Sequence, residues 1–340
     1  MGDGDRRPLR MVGIPINQAT SPRRSASMSS WMTPHQRLQW QMNLELKLRQ
    51  LNGDAFQDFF SRVMARLHGA DFIRVRPFGS LGDKGCDGYL QGSGQLFQCY
   101  GKLHDAGLTV STLVAKMTDD YVKASVALSA IMKEWHFVHN LVDGVPVEAV
   151  VRLKELEAAN SHHRFGMFGP PTFEDRILAL DEFHLTALLG PVASAEDSRN
   201  MRIEEVAGLI EKVMRDIDDP PLVDAAPTDP PFDKLDFNGI RGAWHGILVG
   251  ATSNAPLVKD YVDRHPDPQM GIRLSKVFAN RYKELDASGL SPNAILTKHY
   301  EDITGVGSVP PERQVAAQAL LAYLFEACDI FKDHPSKVTP

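Results

Sequence analysis

Apolar residues recur along this chain at helical spacing in some segments and at every second position in others, and the alternation of the two patterns predicts its architecture. From Pro34 to Leu51 the residues Leu38, Met42, Leu44, Leu46 and Leu48 predict a helix, which Asn52-Gly53 punctuates. A second helix follows, with Asp54 as its cap and Phe56, Phe59, Phe60, Val63, Met64 and Leu67 as a core stripe that ends at His68-Gly69. Phe72-Ile73-Arg74-Val75-Arg76 alternates apolar and basic residues and reads as a strand. It leads into a predicted hairpin, in which Asp87-Gly88-Tyr89-Leu90 and Gln95-Leu96-Phe97-Gln98-Cys99-Tyr100 flank Gln91-Gly92-Ser93-Gly94, whose glycines suit a tight turn. Helix and strand then alternate: helix 108–131, strand 135–139, helix 145–159, strand 164–168, helix 173–180. This order predicts an α/β sandwich built on one sheet.

An amphipathic helix over 201–217 follows, and Asp218-Asp219-Pro220-Pro221 with Pro227, Pro230 and Pro231 breaks regular structure. Beyond Phe232 the signals are helical, with segments around 244–249 and 257–261, then 274–285, 292–303 and 311–331. The expected organisation is a disordered basic arm over 1–33, carrying Arg6, Arg7, Arg10, Arg23 and Arg24, and an α/β domain over 34–192. A helix and Pro-rich linker over 193–231 and a mainly α-helical domain over 232–335 complete it.

Composition narrows the functional classes without choosing one. The 340 residues are 43% hydrophobic and 24% charged with formal net charge −6, which suits an ordinary globular protein and leaves room for a local basic groove. Cys86, Cys99 and Cys328 form no CxxC pair, so neither a disulfide framework nor a zinc knuckle is expected, and a reducing cytoplasm fits. Met11-Val12-Gly13-Ile14 is interrupted by Pro15 and no run reaches membrane-spanning length, so no membrane association is expected.

Candidate chemistry concentrates between Pro77 and Lys102. Lys84 lacks the preceding Gly and following Ser or Thr of a nucleotide phosphate loop. His136 and His139 fall on opposite faces of a strand, and the adjacent pair His162-His163 is no better placed to share a metal. On the hairpin, Gln98, Tyr100 and Lys102 are expected on one face with Asp87 across from them. Such a cluster suits metal-dependent phosphodiester cleavage, which needs carboxylates for Mg²⁺ and a group that positions water. The bland alternative makes Asp83 and Asp87 turn residues that bond backbone amides, with Gln98 and Tyr100 a satisfied polar pair.

The order of elements resembles the restriction-endonuclease-like fold, whose signature is an acidic residue followed by a (D/E/Q)-x-K strand. Gly82-Asp83-Lys84-Gly85-Cys86-Asp87-Gly88 followed by Phe97-Gln98-Cys99-Tyr100 is similar to the Mrr-type variant, a G-D-x-G-x-D loop before a Q-x-K strand. The resemblance implies Asp87 as a ligand of Mg²⁺ (or Mn²⁺), with Asp83 or Asp58 as second carboxylate, and Gln98 orienting water or phosphate. Tyr100 stands where the family has lysine and Gln57 where it often has a helix glutamate, so Lys102 would supply the cation and Tyr100 a hydrogen bond. Lys84, Arg74 and Arg76 are the expected DNA contacts.

Further along, Lys234-Leu235-Asp236-Phe237-Asn238-Gly239, the run 278–285 (FANRYKEL) and the run 322–331 (AYLFEACDIF) resemble the C-terminal domains of bacterial ABC-three component systems. That resemblance implies an SMC/Rad50-like ABC ATPase and a small middle component as partners, and a role in defence against phages and plasmids. The expectation is a cytoplasmic, Mg²⁺-dependent DNA endonuclease effector. The competing expectations are a catalytically inactive nuclease-like adaptor that binds nucleic acid or a partner, and a plain scaffold. The sequence leaves a homodimer open.

Overall fold

The computed structural model describes residues 31–76, 84–103, 106–215, 234–327 and 330–332. The arm up to residue 30, Asp83, most of the Pro-rich linker, Cys328 and Asp329 lie outside them. The chain begins with α1 (Pro34–Gln50) and α2 (Gly53–His68). Thr33 caps α1 through a reciprocal box with Gln36, which satisfies two of the amides that a helix start leaves open. Asp54, expected as the cap of α2, lies instead inside its first turn, where its charge suits the helix dipole; Asn52 is the cap residue.

Five strands follow, β1 (Phe72–Arg74), β2 (Gly88–Leu90), β3 (Gln95–Tyr100), β4 (Glu134–His139) and β5 (Arg164–Phe168), and they lie in sequence order across one mixed sheet. β1, β2 and β3 are antiparallel neighbours, and β3, β4 and β5 are parallel. The parallel pairs require crossovers, supplied by α3 (Val110–Ala127) and α4 (Val147–Ala159). The hairpin forms as the glycines predict: Leu90 pairs with Gln95 and the Gly94 N–H closes the loop on the Leu90 carbonyl at 2.9 Å.

Alternation sorts side chains onto two buried faces. Leu96, Trp135 and Phe137 meet Leu113, Met117 and Tyr121 of α3 and Leu153 of α4. Phe97, Val138 and Phe168 meet Phe56, Phe59 and Phe60 of α2 and Phe173 of α5 (Pro170–Ile177), with α6 (Glu182–Leu189) completing that layer. The result is an α/β sandwich with helices on both faces of a mixed sheet.

After the short α7 (Ala195–Arg199), the helices α8 (Ile203–Arg215), α9 (Lys234–Phe237), α10 (Gly242–Ala251), α11 (Ala255–Asp263), α12 (Met270–Ala287), α13 (Pro292–Thr304) and α14 (Pro311–Glu326) build a second core. α14 runs through its centre, buried from Gln314 to Ala322, and its alanines let neighbouring helices approach closely. α8, grouped with the linker on sequence grounds, contributes Val206, Leu209, Ile210 and Val213 to this core. No helix among the described residues is long and apolar enough to cross a membrane.

The segments that carry the C-terminal resemblance meet in space. Lys234, 1% exposed, donates from Nζ to the carbonyls of Phe325 at 2.7 Å and Ile330 at 3.1 Å and lies 4.5 Å from the Phe325 ring centre. Phe331 packs on Phe325 and on Tyr282 of α12. An ammonium thus closes the C-terminal end of α14, where carbonyls lack helical partners.

Lys234→Ala is expected to lower the unfolding free energy by about 2–4 kcal/mol in urea titrations, because it strands buried carbonyls and leaves a cavity. A loss below about 0.5 kcal/mol would show that the cap is dispensable.

Two buried imidazoles contribute to the acid sensitivity of the fold. Burial draws His139, at the end of β4, down to about 4, and His299, in α13, down to about 3. The unfolded chain, with histidines near their ordinary value of about 6.5, binds protons that the folded chain refuses, so stability rises with pH across this window and is lost as pH falls from about 6.5 towards 4. Between pH 7 and pH 5 the pair is expected to remove about 2–4 kcal/mol, of which His299→Leu abolishes roughly half in urea titrations at the two pH values. Equal pH slopes in the variant and the wild type would contradict this.

Candidate functional site

The polar cluster predicted on the hairpin is built around Asp87, whose position follows from how the β2–β3 ladder ends. The Asp87 N–H donates to the Phe97 carbonyl at 2.7 Å, and its own carbonyl accepts from the Val75 N–H at 3.0 Å, so its backbone joins β3 to the end of β1. Two residues further along β3, the Cys99 N–H has the Asp87 carboxylate as acceptor: Oδ2 takes it at 2.7 Å. The other oxygen, Oδ1, accepts from the Gln57 side-chain amide of α2 at 2.5 Å. Asp87 is 4% exposed. Its carboxylate therefore fastens α2 to β3 while its backbone fastens β1 to β3.

The approach to this point is made by Lys84 and Gly85, both in the left-handed region with φ 59° and 74°. Gly85 is required there, since a Cβ would lie 2.1 Å from the Asp120 carbonyl oxygen of α3. On the far side, Gly101 lets the chain pass against α2, where a Cβ would meet the Phe56 Cβ at 2.5 Å, and its carbonyl accepts from the Gly53 N–H at 3.2 Å.

The end of the strand just before Gly101 separates Lys102 from the rest of the expected cluster. β3 ends at Tyr100, and Asn140 clamps the backbone of Lys102 by accepting from its N–H at 2.9 Å and donating to its carbonyl at 3.0 Å. The two-residue alternation that would set Lys102 beside Gln98 and Tyr100 therefore stops before it. Tyr100 stacks on Phe137 at 5.8 Å, and burial raises its phenol above the ordinary value, with Lys116 of α3 opposing. It is a neutral hydrogen-bonding group. Gln98 is 2% exposed, and its Oε1 has no partner among the described residues.

The charges around Asp87 balance. Asp58, expected as a second metal carboxylate, is half-exposed and ion-paired with Arg74 and, at 3.3 Å, with Arg76. Adjacent residues of a helix point about 100° apart, which is why Gln57 reaches Asp87 while Asp58 turns to the arginines. Burial and the neighbouring Arg76 lower the Arg74 guanidinium, and Asp54 and Asp87 oppose that shift, which places Arg74 within electrostatic reach of both acids. The Cys99 thiol is raised well above its ordinary value by burial first and by Asp87 next, so it stays protonated.

A Mg²⁺ or Mn²⁺ ion needs several oxygen donors converging on one point, with one or two carboxylates free to face it. No group of three His, Cys, Asp or Glu side chains fit to hold a metal occurs among the described residues. Both oxygens of Asp87 already accept protein hydrogen bonds, and one of those donors, Gln57, is an amide that adds no anionic oxygen. The described residues do not fit the metal. Sequence reasoning named Gln57 only as a departure from a motif and missed the Cys99 amide, a contact that depends on the exact strand register.

No family model, curated protein or solved structure matches the chain.

In thermal unfolding, Mn²⁺ is expected to leave the wild type unchanged. Gln57→Glu sets a second carboxylate against Asp87 at hydrogen-bond distance, which should lower stability by about 1–3 kcal/mol at neutral pH, with partial recovery in millimolar Mn²⁺. A wild-type Mn²⁺ stabilisation that disappears in Asp87→Asn would contradict the engaged carboxylate.

Proposed function

We propose that this protein is an adaptor of the ABC-three component kind: a restriction-endonuclease-like α/β domain that engages DNA without hydrolysing it, joined to a helical part that docks an SMC/Rad50-like ABC ATPase. The observation that carries this reading is the Gln57–Asp87 pair, an amide on a carboxylate whose second oxygen is held by the Cys99 N–H. Tyr100 adds to it, because a neutral phenol supplies no cation to a developing phosphorane charge. DNA contact is assigned to Arg74, Arg76 and the exposed Lys84 near the open end of the hairpin. Point charges and guanidinium forks there would take backbone phosphates without reading sequence.

A second reading, the Mg²⁺-dependent endonuclease, draws support from Gln98. Its Oε1 is a buried acceptor without a donor beside Asp87, as a ligand of a bound cation or water would be. Asp83 would then supply the second carboxylate.

Incubation of supercoiled plasmid with the purified protein and Mg²⁺ or Mn²⁺, with and without the partner ATPase, separates the two. The adaptor gives no nicking above an Asp87→Asn control and retains duplex binding that weakens with salt and in Arg76→Gln. Metal-dependent nicking lost in Asp87→Asn overturns the adaptor and establishes the nuclease.

A further inference from the structure

Between α1, α6 and the α13–α14 pair lies a cleft of about 350 Å³, within the size range of small-molecule sites, which concentrate at junctions between packed units. Both cores contribute walls. α1 supplies Asn43 and Lys47, α2 Arg62, α13 Tyr300, and the loop before α14 Ser308. Asn43 and Lys47, one turn apart, share a side of α1.

The frame of the cleft is held by polar groups that are already satisfied. Gln314 donates to the Pro191 and Val309 carbonyls at 2.8 and 2.7 Å and accepts from the Ala193 N–H at 3.2 Å. Asn43 donates weakly to the Leu189 and Pro191 carbonyls at 3.4 and 3.3 Å. Glu301, behind the cleft, is matched by Lys298 at 3.5 Å and by the Gln50 amide at 2.8 Å.

Other groups have no such match. Tyr300 is 2% exposed, yet its hydroxyl has no hydrogen-bond partner among the described residues. Arg313 lies close enough to oppose the rise that burial imposes on that phenol, and its own buried Nε is also without a partner. Arg62 donates to a neutral acceptor, the Ala187 carbonyl, at 2.8 Å. Lys47 has no ion pair among the described residues. A concave site with surplus cations and an orphaned buried hydroxyl lacks an anion with several acceptor oxygens.

We propose that this cleft binds a small phosphorylated molecule, up to about a nucleoside monophosphate in size, whose phosphoryl oxygens accept from Lys47, Arg62 and the Tyr300 hydroxyl. Phosphate suits the set better than a carboxylate, because its tetrahedral oxygens can take donors arriving from three directions. An occupant would touch α1, α2 and the α13–α14 pair together, so it resists their separation and raises the unfolding temperature by mass action.

The test uses the full chain with pyrophosphate and with adenosine monophosphate as probes, in calorimetric titration and thermal unfolding. Saturable binding of at least one probe is expected, with a rise in unfolding temperature. Lys47→Gln and Tyr300→Phe should each weaken it about 10-fold or more, the loss of one charge-assisted or buried hydrogen bond. Tyr300→Phe keeps the ring that packs edge-on to Trp244, so its fold should be intact by circular dichroism. Absence of saturable binding of both probes at about 5 mM overturns the proposal. So does binding whose affinity is unchanged in the Lys47→Gln, Arg62→Gln double variant.

Discussion

The architecture depends on one helix buried from two sides. α1 sends Trp40, Leu44 and Leu48 into the core of the α/β sandwich and Met42 and Leu46 into the core of the helical part, so each set repeats every four residues on its own side. Neither core closes without it. Polar groups fix its rotation between them. Gln39 and Gln318 exchange amide hydrogen bonds at 3.1 and 2.8 Å in the interior, a pairing that only one register satisfies. At the other end Arg49, 1% exposed, pairs with Glu45 at 2.9 Å and Asp143 at 2.7 Å, and Asp143 also accepts from the cap residue of α13, Ser291. Burying such charges contributes little net stability, but breaking one partner leaves a charge stranded, so the network specifies the arrangement more than it strengthens it. The cleft lined by Lys47 and Tyr300 follows from this geometry, since α1 is the wall common to both cores.

Asp87 plays the corresponding part inside the sandwich. β1 and β2 are only three residues long, too short to hold by ladder bonds alone, and the carboxylate supplies the missing connections to β3 and α2. A carboxylate accepting a backbone N–H and a side-chain amide is stabilised as an anion without a metal. The arginines at β1 offset the acids of α2 locally. The same residue type in the same place can thus serve a fold or a reaction, and what divides the two is the partner across from it. With Gln57 there, the positive end of an amide dipole faces the carboxylate.

The fold was largely legible because its signals are local. Helical stripes, the glycine hairpin and the alternation of periods gave the order of elements, and the mixed sheet with flanking helices followed from it. Errors arose where geometry is not local. The apolar positions of α1 alternate because two cores share it, a pattern that a single amphipathic face never produces. α6 was missed since its eight residues are too short for a stripe and its apolar side chains do not keep to one face, Phe183 being exposed. Lys102 was carried onto the strand face because nothing in the sequence says that β3 ends at Tyr100 or that Asn140 holds the Lys102 backbone. At the site, the choice between Gln57 and Asp58 hinges on one helical step, and only the structure shows which of them faces Asp87. The orphaned Tyr300 hydroxyl was invisible too, since burial without a partner is a property of packing.

Key residues of the C-terminal motifs lie in the interior. Residues 234, 278–285 and 322–331 are far apart in sequence, and a motif of this kind is easily taken for a contact surface. Here Lys234 is buried on the end of α14, Phe278 lies against His299, and Phe331 fills the space between Phe325 and Tyr282. These residues serve the interior, where a buried ammonium needs carbonyl acceptors and an aromatic face at fixed positions. Their spacing reflects how the last turn of α14 is closed. Other positions of the same segments, among them Asp236, Phe237 and Lys283, are exposed. The same segments therefore close the helical core with some side chains and present others to solvent.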